Sequence, residues 1–191
     1  MVRIYVVDNG GQWTHREWRT LRDLDVETNI VPNTTLLTEL QKEGIQGLVL
    51  SGGAPRIGLD STLGNCGEYL DYANIPILGI CAGHQYMARH FGGTVKPSKI
   101  PEFGQVELTL SNHDDPLFEG VLKKSIVWES HNDEVTVLPK EFINLAESDN
   151  CKIQAIRHKK KTFYGLQFHP EVEHTQFGEQ IFKNFIHLCD Q

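Results

Sequence analysis

The chain has 191 residues, 39% hydrophobic and 23% charged, which suits one domain (1–191) with a full core. No apolar run approaches the roughly 20 residues of a membrane span, and Met1 to Asp8 enters a strand-like run without a signal-peptide pattern, so a membrane is excluded and a cytoplasmic location expected. The net charge of −7 argues against a nucleic-acid partner, because phosphate backbones reward basic surfaces.

In chain order, Arg3 to Asp8 reads as a buried strand with a continuous apolar run, followed by the turn Asn9-Gly10-Gly11 and a helix over about Gln12 to Leu24. Val26 to Val31 reads as a second strand and Leu36 to Lys42 as a helix stopped by Gly44. Leu48 to Leu50 is a third strand, ending in Ser51-Gly52-Gly53-Ala54-Pro55, and Asn65 to Tyr72 a helix. Ile77 to Ile80 is a fourth strand, and His84 to Phe91 continues as a helix. This alternation predicts a parallel sheet with right-handed crossovers.

The second half changes character. Gln105 to Leu110 alternates polar and apolar residues, and short strands are predicted near Ser125 to Trp128, Phe142 to Glu147, Lys152 to Arg157 and Thr162 to Phe168. These read as antiparallel additions to the sheet. Residues 177, 181, 182, 185 and 188 are apolar at helical spacing, so about Gln176 to Cys189 should pack on the sheet.

Chemistry concentrates at Gly79-Ile80-Cys81-Ala82-Gly83, which has the form glycine, any residue, nucleophile, any residue, glycine. A nucleophile on a strand-to-helix turn needs a strained backbone, and the flanking glycines leave room for it. The following helix aims its first N–H groups at the turn and favours the charged sulfur. A buried structural cysteine is the competing reading of the local pattern. Cys66, Cys151 and Cys189 have no such setting and read as structural. No C-x-x-C, H-x-x-x-H or H-E-x-x-H spacing occurs, so no metal site is expected.

Gly165 to Glu171 ends an apolar strand in Phe168-His169-Pro170-Glu171. In an extended chain, which Pro170 supports, residues two apart share a side, so His169 and Glu171 can face one way. That is the base and orienter a thiol nucleophile needs, although a surface turn would carry the same residues.

Gly79-Ile80-Cys81-Ala82-Gly83-His84-Gln85, taken with Phe168-His169-Pro170-Glu171 and Ser51-Gly52-Gly53, resembles the class I (triad) glutamine amidotransferases, in the family's motif order and over essentially the whole chain. Within that family the likeness is to the glutaminase of GMP synthetases. It rests on Trp128-Glu129-Ser130-His131-Asn132-Asp133-Glu134-Val135 and on His169-Pro170-Glu171-Val172-Glu173-His174-Thr175. Anthranilate and aminodeoxychorismate synthase glutaminases, the alternative branch, usually carry Ser after the position of Glu171. In one departure, Ala54 intervenes where the family usually has Pro directly after the two glycines.

The resemblance implies an α/β fold of flavodoxin-like type, a mixed, mostly parallel central sheet flanked by helices with antiparallel additions in the C-terminal half. It implies L-glutamine as substrate, Cys81, His169 and Glu171 as catalytic residues, and the backbone N–H groups of Gly53 and Ala82 as the oxyanion hole. Gln85 and the backbone around Ser130 and His131 would bind substrate. Asn132, Asp133 and His174 carry little glutaminase logic and would couple to a partner, unless Asn and Asp merely cap loops. No Ser-Gly-Gly-x-Asp-Ser phosphate loop is present, so the partner would be a separate ATP-pyrophosphatase (synthetase) subunit. ATP and Mg would bind that partner, with no cofactor in this chain. A cysteine peptidase on a similar sheet would share the elbow, whereas a non-catalytic binding protein would have lost one of the three catalytic residues.

Overall fold

A computed structural model describes residues 1–191. Its elements in order are β1 (Ile4–Asp8), α1 (Thr14–Asp23), β2 (Ile30–Pro32), α2 (Leu37–Lys42), β3 (Gly47–Leu50), α3 (Cys66–Tyr72), β4 (Ile77–Ile80) and α4 (Ala82–His90). Then follow β5 (Thr94–Leu110), β6 (Lys124–Val137), β7 (Phe142–Glu147), β8 (Ala155–His158), β9 (Phe163–Leu166) and α5 (Gly178–Cys189). Short 3-10 turns lie at Ile57–Leu59 and Pro116–Phe118.

One nine-stranded sheet runs in the order β2-β1-β3-β4-β9-β8-β7-β5-β6. The strands from β2 to β9 are parallel, and those beyond are antiparallel. The parallel part has the flavodoxin-like order, in which the strand progression reverses between β1 and β3. β3, β4 and β9 are buried along their whole length, which accounts for their unbroken apolar runs.

Period-two alternation sorts the strand side chains onto two faces. Val6 pairs with Val49, Val49 with Leu78 and Leu78 with Tyr164, and this row buries against Leu21 of α1 and Ile181, Phe182 and Phe185 of α5. On the opposite face Tyr5, Val7, Leu48, Leu50 and Ile77 pack with Leu40 of α2, Tyr69 of α3 and Met87 of α4. Each fully buried side chain of this size contributes about 1.5–3 kcal/mol, offset by the ordering of the chain.

Several elements differ from the sequence reading. The strand expected over Val26 to Val31 narrows to Ile30–Pro32, because Asp25 takes φ 59° and the Val26 N–H bonds back to Leu21 O of α1. α4 begins at Ala82 instead of His84, since the Gln85 N–H donates to Cys81 O at 2.9 Å and closes the first turn on the cysteine. The strands expected at Gln105 to Leu110 and Ser125 to Trp128 are long arms, β5 and β6, paired through register shifts between Pro97 and Glu102. Pro97 and Pro101 interrupt the alternation that would have marked the β5 arm, but the register shift carries the pairing past them. The Asn and Asp of Ser130-His131-Asn132-Asp133 therefore lie inside a strand, and the loop-capping reading is corrected.

β4 delivers its end to α4 through a close backbone approach. A Cβ on Gly79 would lie 2.7 Å from the Gly83 carbonyl carbon, and one on Gly83 would meet the Leu50 backbone carbonyl and, at 3.0 Å, the Leu50 Cβ. β3 cannot retreat, being hydrogen-bonded on both sides. Gly83→Ala is expected to cost about 1–3 kcal/mol through overpacking, measured by urea unfolding. Unchanged stability would show that this contact relaxes freely.

Candidate active site

The loops after β1, β3 and β4 meet at the carboxyl edge of the sheet, beside the point where strand order reverses. Such a crevice is where open α/β sheets bind ligands. A cavity of 290 Å³ opens there, and its walls include Trp13, Glu17, Gly53, Cys81, Ser130 and His169. Close packing of two loops shapes it: a Cβ on Gly11 would sit 2.5 Å from Gly52 O, and one on Gly53 would collide with the Asn9 backbone carbonyl. The Asn9 N–H bonds Ser51 Oγ at 2.9 Å and the Asn9 side chain donates to Ser51 O at 3.0 Å, which locks the loops together.

Cys81 stands between β4 and α4 with φ 50° and ψ −106°, as a strained nucleophile elbow requires. Its N–H donates to Leu166 O at 2.7 Å, and its Sγ lies 3.7 Å from Ser130 O. The side chain is 8% exposed, at the cavity floor. The other three cysteines are buried away from this cavity; burial pushes the Cys66 thiol up to about 12 and raises Cys151 and Cys189 as well.

His169 Nδ1 lies 2.7 Å from Glu171 Oε1, and both residues are buried. The expected route to this pair is corrected. β9 ends at Leu166, and His169-Pro170-Glu171 turns instead of running extended, with the Val172 N–H 3.4 Å from His169 O. The turn is pinned from outside: the His169 N–H donates to Trp128 O of β6 at 2.9 Å, and Thr175 Oγ1 donates to His169 O at 2.7 Å. Trp13 meets the imidazole edge-on at a centroid distance of 4.5 Å. A Cβ on Gly52 would contact His169 Cε1 at 3.2 Å and Cys81 Cβ at 3.4 Å, so this glycine lets base and nucleophile share one floor. Burial pushes the His169 imidazole down, but the Glu171 carboxylate and the Cys81 sulfur outweigh it and leave it well above the ordinary histidine value.

The remaining expected site residues divide. Gly53 and Ser130 line the cavity, whereas Ala82 is buried at the first position of α4. Gln85 does not reach the cavity: its side-chain nitrogen donates to Asp133 O at 2.7 Å and Gln167 Oε1 at 3.0 Å. His131 is also away from it, with Nε2 2.9 Å from Glu102 Oε2 and Nδ1 2.9 Å from Asp133 O. Both side chains are thus committed to buried partners, while the backbone expected to meet substrate reaches the cavity at Ser130, whose O lies 3.7 Å from Cys81 Sγ. Asp133, expected to couple to a partner, is buried and held within the chain. Arg56 grips it with Nε at 2.9 Å and Nη2 at 2.6 Å, and the Gly58 N–H adds a third bond at 3.1 Å. Asn132 and His174 are exposed, and the His174 ring packs on Trp128 with centroids 4.8 Å apart at a 36° tilt.

Reading the sequence missed Trp13, Glu17, Arg56, Glu102 and Glu129. Glu17 shares the buried face of α1 with Thr14 and Leu21, a spacing that marks it as an inward carboxyl. Ser125, Val127, Glu129, His131, Asp133 and Val135 all point inward from β6, so strict alternation held the signal for that polar row. No local signal marks Trp13 or Arg56. Glu102, His131 and Cys151 bring their possible metal-ligand atoms within 4.8 Å of one another. Glu102 is, however, already occupied by His131, by Ser148 Oγ at 2.6 Å and by Gln154 Nε2 at 2.8 Å, so the cluster is a closed hydrogen-bond network.

Comparison with known proteins gives concordant results. The family model described as Glutamine amidotransferase class-I matches residues 5–189. A Thermoplasma acidophilum protein named as one of the subunits of glutamine-hydrolyzing GMP synthase is 53% identical over 190 residues, covering 99% of this chain and 94% of that one. Its namesake from Archaeoglobus fulgidus is 49% identical, covering 98% and 99%. A crystal structure of a Thermoplasma acidophilum protein superposes with a TM-score of 0.91 at 52% identity, over 100% of this chain and 94% of the other. A Thermotoga maritima glutamine amidotransferase shares the fold at a TM-score of 0.73 and 22% identity, over 97% and 81%.

Burial pushes the Asp133 carboxyl up, but the bonds from Arg56 and Gly58 outweigh it and leave it below the ordinary Asp value of 3.8. The unfolded chain therefore takes up this proton at higher pH than the folded one. The stabilisation is fully present above that ordinary value and lost as pH falls through the depressed folded value. Asp133→Asn is expected to lower Tm at pH 7, with the gap to wild type closing as the medium is acidified below 3.8. A gap that stays constant with pH would refute the assignment.

Proposed function

The chain belongs to the class-I glutamine amidotransferases, and from that premise we propose that it is the glutaminase subunit of a two-subunit GMP synthase. It hydrolyses L-glutamine to glutamate and ammonia, and the ammonia passes to a synthetase subunit that aminates XMP to GMP with ATP and Mg bound on that partner. The observation that carries the catalytic reading is the buried His169–Glu171 pair facing a cysteine on a strained elbow. The relatives named as GMP synthase subunits support this branch over anthranilate or aminodeoxychorismate synthase.

In the proposed mechanism, Cys81 Sγ attacks the side-chain amide carbon of glutamine, and the carbonyl oxygen becomes an oxyanion. The N–H groups of Gly53 and Ala82 receive that charge, Gly53 from the cavity wall and Ala82 from the N-terminus of α4. His169 as imidazolium gives its proton to the departing nitrogen, and ammonia leaves a thioester. His169, now neutral, takes a proton from water as the water attacks the thioester. Glutamate then departs and the thiolate–imidazolium pair returns. Glu171 holds the ring with its Nε2 edge toward the sulfur and stabilises its charged form. Ser130 stands within the cavity to meet the amino-acid end of the substrate.

The reaction is assigned to the cytoplasm. No helix is long and apolar enough to cross a membrane, and the four unpaired cysteines suit a reducing compartment.

The two subunits together, supplied with XMP, ATP and Mg, are expected to form GMP from glutamine. Cys81→Ala is expected to reduce that rate below about one thousandth while leaving Tm and GMP formation from added ammonium intact. Glutamine-dependent GMP formation by Cys81→Ala would refute the nucleophile. Failure of the wild-type pair to aminate XMP would refute the branch.

A further inference from the structure

One carboxyl in the cavity is unused by that mechanism. Glu17 is 1% exposed and lines the same space as Cys81, His169 and Glu171, and its Oε2 has no hydrogen-bond partner. It occupies a position on the buried face of α1, between Thr14 and Leu21, where an apolar residue would avoid the cost of burying a carboxyl. Glu171 has a matching deficit: Oε1 serves His169 Nδ1, while Oε2 is buried without a donor.

Two carboxyls that share a buried space disfavour each other's ionisation. Glu171 is committed through Oε1 to His169 Nδ1 at 2.7 Å. Glu17 is the neutral member: burial raises it well above the ordinary value, Glu171 and Cys81 raise it further, and the opposing effects of His169 and a backbone bond from Gly52 do not offset this. A neutral carboxyl, unlike a carboxylate, is a donor.

We propose that Glu17 is a positioning residue of the glutaminase, its carboxyl O–H donating to the free Oε2 of Glu171 and so holding Glu171 with Oε1 on His169. Both oxygens of Glu171 are then engaged, and the carboxylate cannot swing away while the imidazole cycles between its charged and neutral forms. Glu17 touches no reacting atom and acts only through Glu171.

The inference rests on the glutaminase reading, and the test separates the two. Steady-state glutamine hydrolysis is measured on the complex with the synthetase subunit, XMP, ATP and Mg, for wild type, Glu17→Leu and Glu17→Gln, with thermal unfolding of each. Glu17→Leu is expected to fold and to lose about tenfold in kcat with KM within about twofold, the loss of one buried positioning bond. Glu17→Gln, a neutral donor of the same shape, is expected to recover most of that loss. If Glu17→Leu does not fold, Glu17→Ala takes its place with the same expectation. Wild-type kcat in the apolar variant, or a Glu17→Gln enzyme as slow as it, overturns the positioning role alone. An inactive wild-type complex overturns the glutaminase reading and this inference with it.

Discussion

At Cys81 the chain leaves β4 with φ 50° and ψ −106°, a conformation that costs an L-residue on the order of 1–3 kcal/mol and persists only where its surroundings over-determine it. Those surroundings are visible. The Cys81 N–H is tied to Leu166 at the end of β9, its carbonyl starts α4, and Gly79 and Gly83 allow the turn and β3 to touch backbone to backbone. The turn projects the sulfur beyond the sheet edge, next to the reversal of strand order between β1 and β3. The two glycine loops flanking that reversal line the same cavity as the nucleophile.

The antiparallel half of the sheet supplies the other part of the site. β6 gives Ser130 to the cavity, and Trp128 O holds the backbone of His169. On its inward face β6 carries Glu129, His131 and Asp133, all nearly inaccessible. Burying such groups is expensive unless each is paired. Most are: His131 with Glu102, Asp133 with Arg56, and Glu102 with Ser148 and Gln154. Glu129 has no donor for either oxygen, and burial followed by the nearby charge of Glu102 raises it well above the ordinary carboxylate value. Gln85 bridges Asp133 O of β6 and Gln167 just past β9, so the helix that follows the nucleophile is tied to the strand that supports the base. Polar partners with fixed geometry specify one relative placement, which interchangeable apolar contacts would not.

Much of this was legible in the residue order alone. Continuous apolar runs located β1, β3 and β4, since a strand buried on both faces has no polar positions to spare. The spacing of 177, 181, 182, 185 and 188 placed α5 correctly, and Gly79-Ile80-Cys81-Ala82-Gly83 located the elbow. The extended geometry read for His169-Pro170-Glu171 reached the correct pair by the wrong backbone. The chain turns there because Trp128 and Thr175, which lie outside the motif, hold it. Gln85, His131 and Asp133 were recognised as special, yet their side-chain partners Gln167, Glu102 and Arg56 are 82, 29 and 77 residues distant, so these hydrogen bonds were invisible in the local sequence.

The sequence by itself determined that Cys81 sits on a turn between a buried strand and a helix, because that outcome depends only on local apolar runs, glycine spacing and helix-starting backbone. It also determined which residue types accompany the cysteine, since His169 and Glu171 lie two positions apart. Only the tertiary structure decided which side chains face the sulfur. Glu17 comes from α1, Ser130 from an antiparallel arm, and Gly52 from the loop after β3, and no local pattern brings these together. The sheet order does so, and it follows from burying two faces of one sheet under helices far apart in the chain.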